Sequence, residues 1–217
     1  VASTLPLNVI FDSGGIVGGS VVSLANANTY TGISYVNGVI VDLTNGVSTG
    51  NAIVGDIIIN GATTSGSDSG AAGNSEIRNR ANNKIADTES VTVNGGGAWD
   101  LFGFSETINN LVFTSTGGSN GNNGPTVQTG DGILTINGSI TATDLTNAGV
   151  IPLLAGNLSL GGTRTVTVDQ VQGATDLSNG QVGLAMNLDF TSGGTLNKQG
   201  LGVLSLGGQS TAGVAIN

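Results

Sequence analysis

The sequence predicts an all-β solenoid, a stack of short parallel β-coils. Apolar residues recur at every second position in short runs, Gly, Asn, Ser and Asp cluster between those runs, and a segment near the head of the chain is echoed near its tail. Alternation with period 2 puts one set of side chains on one face of a strand. Gly and Asn supply the positive backbone angles that tight corners need. A repeated unit that cannot bury its apolar face alone buries it by stacking on the next.

Taken in chain order, the alternating runs place Val39, Val41 and Leu43 on one strand face, then Ile57 with Ile59, Val91 with Val93, and Leu134 with Ile136. Leu158 with Leu160, Val166 with Val168, Leu188 with Phe190, and Leu204 with Leu206 continue the series. Helical spacing is not sustained anywhere, and a short helical turn is expected only within residues 82 to 90. Corners are expected at residues 14 to 20, 64 to 74, 94 to 97 and 117 to 124, where Gly and Asn concentrate. Asn-Gly after a strand also signals an antiparallel hairpin, so an antiparallel β-sandwich is the alternative architecture. Short regular strands, few aromatic anchors and a dominance of small residues favour the solenoid.

Composition narrows the function. Gly makes up 38 of 217 residues without a third-residue period and with only 3 Pro, which excludes collagen. A hydrophobic content of 38% in alternating runs excludes a disordered chain. With no His and no Cys, no Ser-His-Asp or Cys-His pair can be assembled, and no zinc, haem or iron-sulfur site with such ligands. No cofactor is expected. A formal charge of −9 opposes nucleic acid and anionic membrane, and no apolar run reaches the length of a spanning helix. The chain begins at Val1 without a signal-like stretch, as expected of a mature or excised segment.

The whole of residues 1–217 reads as a single solenoid segment, with head (8–32) and tail (187–213) echoing one repeat. Phe11-Asp12-Ser13-Gly14-Gly15 returns as Phe190-Thr191-Ser192-Gly193-Gly194, and Val22-Ser23-Leu24 as Leu204-Ser205-Leu206. Leu111-Val112-Phe113-Thr114-Ser115-Thr116-Gly117-Gly118 is a third, looser copy.

These segments resemble the autotransporter-associated β-strand repeat family, also called passenger-associated transport repeats. The resemblance is carried by Leu196-Asn197-Lys198-Gln199-Gly200-Leu201-Gly202-Val203-Leu204-Ser205-Leu206 and by Asn28-Thr29-Tyr30-Thr31-Gly32 with Val36-Asn37-Gly38. Segments 83–87, 91–96, 103–108 and 160–168 extend it, whereas 207–213 departs from the Asn-Thr-Tyr turn. It implies a right-handed parallel β-helix exported across a bacterial envelope and displayed on or shed from the cell surface, without catalytic residues to carry over. At about 20 residues per coil and ~4.8 Å per rung, on the order of ten coils would give a rod of ~50 Å.

Few residues invite chemistry. Asp87 and Glu89 stand near Arg78, Arg80 and Lys84, an acid-base grouping of the kind sugar-acid chemistry uses, though a solvated charged surface is the expected role. Trp99, with Phe102 and Phe104, is a candidate stacking platform for a glycan; a regular strand puts Trp99 on the face opposite the two Phe, and stacking of the Phe rings in the core is their expected role. Tyr30 and Tyr35 are expected to flank a turn. Asp68 and Asp131 lie in Gly-rich turns but without the calcium-binding nonapeptide. Asn137-Gly138-Ser139 and Asn157-Leu158-Ser159 fit the N-glycosylation sequon. Asn and Thr are expected to align into axial ladders.

The function that follows is a non-enzymatic rigid scaffold outside the cell, either one repeat of a much longer passenger or a subunit that self-associates end to end through its terminal coils, head to tail. The rival is an adhesin-type module binding glycans or cell surfaces. A polysaccharide-cleaving enzyme built on Asp87 is the remaining reading.

Overall fold

A computed structural model describes residues 6–14, 20–44, 50–61, 75–115, 124–145, 151–172, 181–208 and 213–217. Among them are eighteen strands and no helix. Sheet A is built from β1 (Val9–Asp12), β3 (Ser34–Asn37), β5 (Ile57–Asn60), β7 (Val91–Val93), β10 (Leu111–Thr114), β12 (Ile140–Thr143), β14 (Thr163–Val168), β16 (Gly194–Gln199) and β18 (Val214–Ile216). Sheet B is built from β2 (Val21–Leu24), β4 (Ile40–Leu43), β6 (Glu76–Asn79), β8 (Ala98–Asp100), β11 (Thr126–Ile136), β13 (Leu153–Ser159), β15 (Val182–Phe190) and β17 (Val203–Gly207). The chain alternates between the sheets along nearly its whole length, and every pairing is parallel. That is a parallel β-solenoid. The antiparallel sandwich is excluded, because no hairpin pairing occurs among these strands.

Coils are longer and less equal than the sequence suggests. Successive rungs of sheet A are separated by 20 residues from Val91 to Leu111 but by 34 from Ile57 to Val91. The excess lies between strands, and the register of the paired rungs does not depend on its length. Nine strands stand in sheet A, close to the ten coils anticipated.

A third face accounts for strands of unequal length. β9 (Glu106–Ile108) pairs with the far half of β11 at Leu134–Ile136, which pairs in turn with Asn157–Ser159 of β13. Asp189 and Phe190 of β15 continue this face, and an isolated bridge joins Ile53 to Ile85 on the other side. β11 and β13 therefore turn a corner without leaving the sheet. The register slips between Gln128 and Ile133, and Gly130 (φ 59°) and Gly156 (φ 108°) adopt backbone angles there that a side chain would strain.

The interior is a set of axial columns. Register runs Phe11–Val36–Ile59–Val93–Phe113–Ala142–Val168 through sheet A, so the large Phe113 sits beside the small Ala142. Along sheet B the matching column is Val22–Val41–Ile77–Trp99–Val127–Leu154–Met186–Leu206. The head-tail echo follows this geometry only in part. Val22-Ser23-Leu24 and Leu204-Ser205-Leu206 both lie in sheet B, whereas Phe11 belongs to sheet A and Phe190 ends β15.

Polar residues also form columns. Asn60 Nδ2 donates to Asn37 Oδ1 (2.8 Å), Asn94 Nδ2 to Asn60 Oδ1 (2.6 Å), and Thr114 Oγ1 to Asn94 Oδ1 (2.7 Å). The anticipated ladder thus exists, with its donors all pointing toward the first coil.

Corners pack backbone against backbone. A Cβ at Gly55 would collide with the carbonyl of Gly32 one coil below, and a Cβ at Gly32 with the carbonyl of Leu7. Gly55→Ala is expected to destabilise the fold by about 2–3 kcal/mol, in the upper part of the range for overpacking, because backbone atoms cannot swing aside. Gly213→Ala, which would meet nothing within 4 Å, is the control and should stay within about 0.5 kcal/mol in urea denaturation.

Candidate functional site

Two groupings of polar side chains stand out, one on the outer surface of sheet B and one inside. Outward positions on β6 alternate with inward ones, so Glu76 and Arg78 face out while Ile77 and Asn79 face in. Register stacks Asp42, Arg78, Asp100 and Gln128 in one outer row. Arg78 pairs with Glu76 at 2.7 Å and Arg80 with Asp42 at 3.5 Å, while Gln128 Nε2 donates to Asp100 Oδ2 at 2.7 Å. Opposite charges alternate up the row, which suits neighbours about 4.8 Å apart.

Phe102 closes this surface. Its ring lies 4.2 Å from the Arg80 guanidinium carbon and 5.8 Å from that of Arg78, and the residue is 45% exposed. The backbone at Phe102 has φ 50°, an outlying angle for a bulky residue, and its amide is held by Asp100 Oδ1 at 2.7 Å.

The expected aromatic arrangement is therefore reversed. Trp99 is fully buried and cannot serve as a glycan platform, while Phe102 is outside and Phe104 half-buried. On β8 the alternation turns Trp99 inward and Asp100 outward, since a carboxylate is far costlier to bury than an indole with a hydrogen-bond partner, and Phe102 lies past the strand end in a turn. The grouping of Arg78, Arg80, Lys84 and Asp87 also comes apart. Arg78 and Arg80 share the outer face of sheet B, Lys84 is buried beyond the corner with Nζ donating to the Gly50 carbonyl at 3.4 Å, and Asp87 is exposed in a turn. Residues 82 to 90 form no helical turn; they carry the Ile85 bridge. Tyr35 lies within β3 instead of flanking a turn, and Tyr30 bonds Ser34 at 3.0 Å. Asp131 is exposed in β11, and Asp68 lies outside the described residues.

The inner grouping was not anticipated. Glu106 on β9 points inward at the same parity as Ile108 and is 1% exposed. Its Oε2 accepts from Asn79 Nδ2 (2.7 Å), the Lys84 amide (2.8 Å) and the Ile85 amide (3.3 Å), and its Oε1 accepts from the Thr107 amide (3.2 Å). Asn79 Oδ1 in turn accepts from Trp99 Nε1 at 2.9 Å. Burial pushes the carboxyl up to about 7, against the pull of these four donors in the other direction.

Nothing among family descriptions, curated proteins or solved structures matches this chain. Site chemistry thus rests on geometry alone. Among the described residues no three acidic side chains gather where a metal ion could be held, and the inner carboxyl is enclosed by the coils that support it. In the outer grouping both arginines are already paired, Arg78 with Glu76 and Arg80 with Asp42. Among the described residues, exposed large apolar side chains gather in the first and last coils, Leu7, Ile10 and Val21 in one and Leu201, Leu206 and Ile216 in the other.

Proposed function

We propose that this chain is a non-enzymatic structural segment of a bacterial surface or secreted protein, a rigid β-solenoid that stacks end to end with further copies. One observation carries the reading: among the described residues one sheet runs continuously from β1 to β18 and the other from β2 to β17, and no described strand pairs with the outer edge of any of these four. A parallel strand edge is a template for another strand, and apolar side chains around it raise the gain from covering it. The sheet B column runs from Val22 in the first coil to Leu206 in the last, so addition of a copy continues that apolar row. The low charge and absence of His and Cys fit a scaffold whose product is shape.

Light scattering and negative-stain microscopy over a wide protein concentration range test this. Rods lengthening with concentration in steps of one copy are expected, and Leu206→Lys with Ile216→Lys should hold the protein as single short rods. Single rods of the unaltered chain at the highest concentration would remove end-to-end stacking.

A second reading, binding of glycans or cell surfaces, has one observation in its favour, the exposed ring of Phe102 held at a strained backbone angle beside Arg80. On that reading Phe102→Ala abolishes glycan-array signals and leaves the thermal midpoint within a few degrees. An array without hits for the unaltered chain ends it.

A further inference from the structure

We propose that Glu106 is a proton-operated latch at the corner where the third face of the solenoid begins, tightening the fold on acidification from neutral pH. The placement carries this. Below the corner, Ile85 is bridged to Ile53, and above it β9 pairs with β11. Between them the amides of Lys84 and Ile85 find the Glu106 carboxyl, so a side chain stands in for the strand carbonyls of a regular rung. The same oxygen holds Asn79, which holds Trp99, so one carboxyl ties β9, β6, β8 and the segment around residue 84 together.

No cation offsets a charge at this point. Lys84, the charged residue buried closest in the chain, sends Nζ away to the Gly50 carbonyl. From β6 the facing residue is Asn79, while Arg78 and Arg80 lie outside. β8 contributes Trp99 and keeps Asp100 outside, and β11 contributes Leu134 by register and keeps Asp131 outside. The donors are neutral amides and they crowd onto Oε2, leaving Oε1 with a single contact at 3.2 Å and room in its acceptor set for a proton. A carboxylate without a countercharge is accommodated poorly in such an interior, whereas the neutral acid fits it.

The direction of the pH effect follows. The closed corner holds the proton more tightly than an opened, hydrated one, whose carboxyl titrates at the ordinary 4.5. The stabilisation is fully present below about 4.5 and is lost as pH rises through about 7. Local opening at the corner should therefore become on the order of a hundredfold more frequent across that window and level off above it.

The test uses the intact chain. Carbon-13 labelling of its three glutamates, Glu76, Glu89 and Glu106, gives a direct carboxyl titration, and Trp99, the one tryptophan, reports the corner by fluorescence. A Glu106 midpoint near 7, shared by the Trp99 signal, is expected. Amide exchange at Lys84 and Ile85, corrected for its intrinsic pH dependence, should accelerate from pH 4.5 to 7 in the unaltered chain and stay flat in Glu106→Gln. A Glu106 midpoint at 4.5 overturns the proposal, as does a Glu106→Gln protein that keeps the full pH dependence. Should that variant fail to fold, the carboxyl titration of the unaltered chain decides alone.

Discussion

Trp99→Ala is expected to lower the stability of the chain by about 3–5 kcal/mol, the range for truncating a large buried aromatic. Trp99 is fully buried in the sheet B column between Ile77 and Val127, so the deletion leaves a cavity that neighbouring rungs cannot close without breaking register. It also strips the donor from Asn79 Oδ1, which stays buried. Trp99→Phe separates the two effects. It keeps most of the volume but loses the N–H, and about 1–3 kcal/mol of loss is expected from the orphaned acceptor. Urea denaturation followed by far-UV circular dichroism measures both. A Trp99→Ala loss below about 1 kcal/mol would mean the indole is not enclosed by the stack.

The fate of Trp99 also marks how far the sequence could be read. Strand positions were legible because alternation is a local signal: Val39, Val41 and Leu43 are all buried, as are Ile57 with Ile59 and Val166 with Val168. Which parity faces inward is a competition between groups, and around Trp99 it was settled by Asp100, whose carboxylate is expensive to bury. Coil length and the third face were not legible. They depend on how much chain is spent at corners, and the Ile53–Ile85 bridge joins residues whose local sequence carries no strand signal. Glu106 was hidden for a related reason: an acid between Ser105 and Thr107 reads as surface, and only the Lys84 and Ile85 amides it serves explain its place inside. Arg78 finds Glu76 on its own strand, yet the partners of Arg80, Asp42 and Phe102, come from other coils.

Phe113→Ala and Phe11→Ala should differ several-fold in effect although both residues occupy the same interior column. Phe113 is fully buried, with a rung on either side of β10 at Val93 and Ala142, and its truncation is expected to cost about 3–5 kcal/mol. Phe11 is half-buried in the first described strand of sheet A, with a register partner on one side, Val36, and below about 1.5 kcal/mol is expected there. In a stack whose rungs touch only their neighbours, damage to an end rung frays that end, and damage to a middle rung disrupts coils on both sides. Trp99 fluorescence in a urea titration reads the middle of the stack, so it should shift for Phe113→Ala and scarcely move for Phe11→Ala. Equal shifts would mean that the coils unfold as one unit. Protein concentration adds a second axis: if a copy covers the first rung, Phe11 becomes an interior residue of the assembly. The loss caused by Phe11→Ala then grows with concentration, as binding to the folded state demands, whereas the loss at Phe113 does not.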